Sequence, residues 1–296
     1  MNRFFELTIT EDMAGKTIKE ILYDYYDMSA RLINRLKLSN GILLNGKSQF
    51  VTAIVHQGDI LKISLPLETS LNIVATAMPL EIVYEDHDIM VIDKPPNLPV
   101  HPSQGNYSNT LANGVMYYWQ QKGFNHIYRP VNRLDKDTSG LIIIAKNQYA
   151  HQQFANQITN KQLKRKYIAI VHGNVAQEKG TIDLPIARKE GSTIERMVSE
   201  DGQQAVTHYK VLKRVDNFTV IELVLQTGRT HQIRVHMSYI GHPLVGDWLY
   251  GKEEQELISR QALHSYSLEF IHPVSRQVMN FKSDIPGDMR KLIENV

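Results

Sequence analysis

The chain has 296 residues, 42% of them hydrophobic and 22% charged, with a formal net charge of +2. That length suits one large domain or two ordinary ones, with the composition of a soluble globular protein. Cysteine is absent, which excludes disulfides and thiolate metal sites and suits a reducing cytoplasm. No apolar run of about 18 residues and no basic start followed by an apolar core occurs, so neither a membrane span nor a signal peptide is expected. With so small a net charge, a case for nucleic acid must rest on local basic patches.

Residues 1–66 read as a small module. Ile18, Ile21, Leu22 and Tyr25 form an i, i+3, i+4, i+7 stripe, which predicts an amphipathic helix over Thr17 to Asp27. Ser29 is placed to cap a second helix running to Leu38, with Gly41 as its stop. Leu32, Ile33 and Leu36 make its apolar side; Arg31 and Arg35 lie one turn apart on another face, with Lys37 nearby. Ile42 to Lys47 predicts a strand entering an Asn-Gly hairpin turn, and Gln57 to Ile63 another turn and strand. The Pro, Ser, Thr and Asn mixture from Pro66 onward predicts a linker over 67–79.

The second module spans 80–296. Leu80–Tyr84 and Ile89–Lys94 read as strands, followed by the Pro-rich loop Lys94 to Pro102 and a helix over Thr110 to Gln121. Arg129 to Lys146 (RPVNRLDKDTSGLIIIAK) then joins a charged, turn-rich loop to a β-branched run, Leu141 to Ala145, that reads as a buried strand. Catalytic groups tend to sit on loops held by a rigid scaffold, although many such loops are merely solvated. Asp135-Lys136-Asp137-Thr138 also approaches the Asp-x-Asp-x-Thr of a metal-dependent phosphatase, with Thr one place early, but there the strand precedes the carboxylates and here it follows. Asn147 can cap a helix carrying Ala150, Phe154 and Ile158. The basic run Lys161 to Lys166 leads into Tyr167 and a strand. Strands over Ala205 to Lys213 and Phe218 to Gln226 follow, then Thr227 to Met237 (TGRTHQIRVHM), read as a turn and a helix capped by Thr230 with Ile233, Met237 and Ile240 on one face. His231 and His236 are five apart and no Glu follows the first, so a zinc site is not expected. Pro286 to Val296 reads as a short helix, and no nucleotide-binding glycine motif is present.

Arg133-Leu134-Asp135-x-x-Thr138-Ser139-Gly140, Lys94-Pro95-Pro96-Asn97-Leu98 through His101-Pro102, Thr227 to His236, and Pro243 to Gly251 resemble the RluA-type family of RNA pseudouridine synthases. Residues 1–66 are similar to an S4-like RNA-binding domain. Together these segments are spread along most of the chain. Asn97 stands where the family usually has Gly, and would fit a left-handed turn. Asn132 stands where many members have His, a change expected to bear on substrate choice more than on activity.

The resemblance implies an α+β fold: a catalytic domain with a mixed, mainly antiparallel sheet flanked by helices and loops, plus a small α/β N-terminal domain. It implies isomerisation of uridine to pseudouridine in structured RNA, ribosomal more than transfer RNA. It assigns Asp135 as the essential carboxylate, Arg234 as its ion-pair partner, Tyr167 as the ring that stacks on the base, and Arg133 as the side chain entering the space left by the extruded nucleotide. Arg31, Arg35, Lys164, Arg165 and Lys166 are the expected phosphate contacts. No cofactor, no metal and no membrane partner are expected, and a cytoplasmic monomer is. A non-catalytic RNA-binding factor is the alternative, opposed by the complete set Asp135, Tyr167 and Arg234.

Overall fold

The structure, a computed structural model, describes residues 3–66, 68 and 73–294. Leu67 and residues 69–72 of the expected linker, and residues 295–296 of the expected last helix, lie outside them. Among the described residues no helix is long and apolar enough to cross a membrane.

The first sheet contains β1 (Phe4–Thr8), β2 (Ile42–Leu44), β3 (Lys47–Ser48) and β4 (Ile60–Ser64), in the spatial order β1-β4-β2-β3. Asn45 (φ 52°) and Gly46 (φ 78°) take the left-handed conformation that a two-residue hairpin demands. The first predicted helix is not one α-helix. A single turn, α1 (Ile18–Glu20), capped reciprocally by Thr17 and Glu20, runs into a π-helical turn over Ile21–Tyr25. The wider turn moves the next inward position along by one residue. Tyr26 is therefore the buried ring at 8% exposure, while Tyr25, expected inside, is 51% exposed. In α2 (Ala30–Leu38) the Ser29 hydroxyl accepts from the Leu32 N–H as expected. The left-handed residue that ends it is Asn40, not Gly41. Gly41 is needed for a different reason: a Cβ there would collide with the Ser64 carbonyl.

The second sheet is built from β5 (Glu81–Glu85), β6 (Ile89–Lys94), β7 (Arg129–Pro130), β8 (Ser139–Ala145), β9 (Lys164–His172) and β10 (Lys179–Asp183). After the separate hairpin β11 (Ile186–Arg188) and β12 (Arg196–Val198), it continues with β13 (Val206–Val215), β14 (Phe218–Leu225), β15 (Leu263–Ile271) and β16 (Val278–Lys282). Its main path is β10-β13-β14-β9-β15-β8-β6-β5, with β16 beside β15 and β7 beside β8. Every pairing in it is antiparallel except β8 with β15. The fold is α+β.

Alternate residues of these strands serve opposite faces. Met90, Ile92, Ile142 and Ile144 pack with α3 (Leu111–Gln121), in a core that also takes Tyr167, Leu223, and Ile233 and Met237. Ile89, Val91, Leu141 and Ile143 pack with Ala150 and Phe154 of α4 (Gln148–Thr159). The run Leu141–Ala145 is wholly buried because both faces are covered. The two modules share packing: Tyr149 of α4 sits in the N-terminal core, and Arg3 pairs with Asp88 at 2.8 and 2.9 Å.

Candidate active site

The parallel pairing of β8 with β15 sets Gly140 (φ 107°) against the backbone of Ser265. A Cβ at 140 would run into that backbone, so only glycine allows the loop before β8 to enter the sheet here. The loop itself is a turn closed by the Thr138 N–H on the Asp135 carbonyl at 3.1 Å. Two buried cations hold it from below. Lys94 Nζ donates to the carbonyls of Pro95 (2.8 Å) and Lys136 (3.0 Å), and Arg260 Nη1 donates to that of Asp137 (3.1 Å). Burial pushes the Lys94 ammonium down to about 7, against the attraction of Asp137 and Asp135. The Asp137 carboxylate, a natural candidate for shaping this turn, makes no hydrogen bond among the described residues; backbone and cations do that instead.

Asp135 projects from this turn with its side chain 25% exposed. Its Oδ2 accepts from Arg234 Nη1 at 3.1 Å, while Oδ1 has no hydrogen-bond donor among the described residues. Arg234 is 5% exposed and sits in the first turn of α5 (Gln232–Tyr239). Its Nε and Nη2 donate to Oδ2 and Oδ1 of Asp247, both at 2.8 Å, and its guanidinium lies 5.0 Å from the Tyr250 ring centre. Burial alone would weaken the guanidinium as a base; the bidentate Asp247 and then Asp135 more than compensate and raise its pKa. Asp247 is fully buried and also accepts the Leu249 and Tyr250 N–H groups.

The residue that caps α5 is His231, not Thr230, and its φ of 58° is left-handed. The turn before it is locked by Gln232. Its Oε1 accepts from the Arg229 N–H and Thr227 hydroxyl, and its Nε2 donates to the Val206 carbonyl and Thr207 hydroxyl. His236 is also structural, bonded to the Thr207 hydroxyl and Leu184 carbonyl, so the two histidines do not converge on a metal. Among the described residues one cluster has metal-ligand spacing, Asp86, Asp88 and His272. Its groups are already committed: Asp88 to Arg3 and Asn147, Asp86 to His272 and two backbone N–H groups.

Tyr167 is 4% exposed and lines the same pocket as Asp135, Leu134, Thr138 and Arg234. Burial pushes its phenol pKa up. Arg133 is exposed at the mouth, 3.5 Å from the Thr230 hydroxyl, where the pocket opens into a groove with Arg188, Arg196 and Arg229. A larger cavity lies elsewhere, by Arg3, Glu68, Phe124 and Lys146. The Asp135 pocket is distinguished by its charges rather than its size.

The expected basic run is not one basic face. Strand alternation puts Lys164 and Lys166 on the opposite face from Tyr167, where they meet Glu269 (2.5 Å) and Glu222 (3.8 Å). Arg165 shares the Tyr167 face and is buried, 6% exposed. Arg31 is exposed on α2, but Arg35 is paired with Glu68 at 3.0 Å, which also takes Arg129. Asn132 faces inward: it is 4% exposed and its Oδ1 accepts the Ile143 N–H at 3.0 Å. Its amide oxygen thereby braces β8. Asn97 does adopt the left-handed conformation, with φ 59°. Sequence reasoning gave no role to Lys94, Asp247, Tyr250, His231 or Arg260. A carboxylate inside the apolar stretch Leu244 to Leu249 was the available signal for Asp247, because a charge placed there needs a partner.

The family model described as RNA pseudouridylate synthase matches residues 88–239, and that of the RluD ribosomal pseudouridine synthase N-terminal domain matches residues 5–61. The Bacillus subtilis RNA pseudouridine synthase YjbO is 45% identical over 280 residues, covering 94% of this chain and 98% of that protein. The ribosomal large subunit pseudouridine synthase D of Zymomonas mobilis is 37% identical over 308 residues, covering 98% and 96%. The solved structure of human RNA pseudouridylate synthase domain containing 1 superposes with a TM-score of 0.59 at 25% identity, covering 71% of this chain and 85% of that one.

Proposed function

This chain belongs to the RNA pseudouridine synthase family, and from that premise we propose that it isomerises uridine in large-subunit ribosomal RNA, with Asp135 as the carboxylate acting on the nucleoside. The reaction breaks the bond from ribose C1′ to base N1, turns the uracil and joins C1′ to C5. C5 loses its hydrogen and N1 gains one, so the atoms balance without an oxidant or an energy source. A carboxylate serves as nucleophile or base on the nucleoside. The observation that carries the assignment is the asymmetry of Asp135, which lines the pocket: Oδ2 is held by a buried guanidinium, and Oδ1 has no protein donor among the described residues.

The remaining roles follow from position and chemistry. Tyr167 offers a ring face to the flat pyrimidine. Arg133, exposed at the mouth, fills the gap in the RNA stack, offsetting part of the few kcal/mol that extrusion costs. Phosphates run along the groove of Arg133, Arg188 and Arg229, and Arg31 adds a contact from the N-terminal module. The choice of ribosomal RNA rests on the relatives: the Zymomonas mobilis enzyme is named for the large ribosomal subunit, and the N-terminal match is to a ribosomal pseudouridine synthase domain. We place the enzyme in the cytoplasm as a monomer. Pseudouridine mapping of total RNA from cells with and without the gene tests the substrate. At least one large-subunit position should revert to uridine; reversion confined to transfer RNA would contradict the reading.

A further inference from the structure

We propose that His231 is a positioning residue for Asp135: its ring presents an Nε2–H to Oδ2, the oxygen that Arg234 also holds, leaving Oδ1 for the nucleoside. The proposal rests on Asp135 being the acting carboxylate. Its first support is where the chain places this side chain. His231 is left-handed (φ 58°), which a non-glycine residue adopts at a cost, and it makes no capping hydrogen bond to α5 that would repay the strain. Its side chain is 15% exposed, and Nε2 lies 3.9 Å from Asp135 Oδ2. Catalytic hydrogen bonds commonly tighten to working length as the substrate complex forms.

The second support is the tautomer. His231 Nδ1 lies 2.8 Å from the Tyr250 hydroxyl, and that hydroxyl accepts the Arg196 N–H at 2.8 Å. If Nδ1 carried the proton, the Tyr250 O–H would have no acceptor among the described residues. The bare Nε2 lone pair would then face the carboxylate. If Tyr250 donates to Nδ1, both the hydroxyl and Nδ1 have partners and the proton sits on Nε2, 3.9 Å from Asp135 Oδ2. The groups facing the ring are Asp135, Arg234, Arg196, Asp247 and Tyr250. Burial, with the two guanidiniums, outweighs the carboxylates and lowers the imidazole pKa, so the donor is a neutral one.

Two substitutions separate this role from a structural one. His231→Gln carries an amide N–H to about the place of the Nε2–H. His231→Asn suits the left-handed backbone better but is too short to reach Asp135. Loss of a hydrogen bond to a charged group corresponds to about tenfold or more in rate. His231→Asn should therefore lower kcat about tenfold at unchanged RNA affinity, and His231→Gln should recover most of it. A purely structural His231 gives the reverse order, with Asn the better replacement, and that order overturns the proposal, as does wild-type kcat in both. Long-range proton–nitrogen NMR on the intact protein reads the tautomer independently of turnover. A proton on Nε2 that becomes distributed over both nitrogens in Tyr250→Phe is expected; a proton on Nδ1 in the wild type overturns the proposal even if Asp135 proves essential. Should Asp135→Asn remain active, the parent reading fails first and this one with it.

Discussion

Asp247→Asn withdraws the charge that holds Arg234 without changing the volume of the side chain. Arg234 and Asp247 are 5% and 0% exposed and share two hydrogen bonds of 2.8 Å. Breaking such a buried pair by removing one partner costs about 3–5 kcal/mol. The amide keeps one acceptor, and Asp135 still neutralises part of the guanidinium charge, so the lower end, about 3 kcal/mol, is expected. At a urea slope of about 3 kcal/mol per molar, the unfolding midpoint should fall by about 1 M. Activity should fall as well. Freed from Asp247, Arg234 can take both oxygens of Asp135, removing the free Oδ1 that the reaction needs. We expect kcat to drop by about tenfold or more, with RNA affinity within about threefold, since neither residue lies on the basic groove. Urea denaturation followed by circular dichroism and single-turnover assays measure the two effects. A midpoint within about 0.2 M of wild type, together with normal kcat, would refute the idea that Asp247 positions Arg234.

Tyr167→Phe should keep much more activity than Tyr167→Ala, because stacking uses the ring and not the hydroxyl; equal loss in both would assign the hydroxyl a role. Lys94 binds its proton less tightly in the folded chain than in the unfolded one, whose value is 10.5. Between pH of about 7 and 10.5 the unfolded state holds more protons, so this residue makes stability rise with pH, and Lys94→Met should flatten that slope in urea titrations; parallel curves would contradict it. Gly140→Ala should lower the melting temperature by several degrees, since the added carbon meets the Ser265 backbone at a positive φ; an unchanged value would mean the strand pairing yields. Arg31→Ser should weaken RNA binding and reduce its salt dependence by about one unit of slope while sparing kcat at saturating RNA.

Much of the fold could be read along the chain because it depends on local rules. Ser29 and Asn147 cap helices from hydroxyl and amide side chains placed just before apolar periodicity. The Asn45-Gly46 turn and the run Leu141–Ala145 announce a hairpin and a doubly covered strand in the same way. What could not be read depends on contacts distant in sequence. Tyr25 and Tyr26 exchanged places because one extra residue in a π turn leaves no mark in a periodic pattern. Lys164 to Lys166 looked like a phosphate surface until β14 and β15 supplied Glu222 and Glu269 beside them. The Asp135 loop was visible, but its supports were not: Lys94 lies 42 residues from the carbonyl it holds at 136, and Arg260 lies 123 from that of Asp137. Asp247 and His231 stood in noticed segments but received no role, because burial and a left-handed backbone are properties of the assembled site.

The most direct test of the central claim is tritium release from RNA carrying uridine labelled at C5, since forming the new carbon bond displaces that hydrogen. Asp135→Asn is nearly isosteric, so the fold should persist and RNA affinity should change by less than about tenfold, or roughly 1.4 kcal/mol. Its amide cannot act as a carboxylate, and release should fall below detection, while Asp137→Asn remains clearly active. Near-normal release from Asp135→Asn, or a dead Asp137→Asn beside it, would contradict the assignment of Asp135.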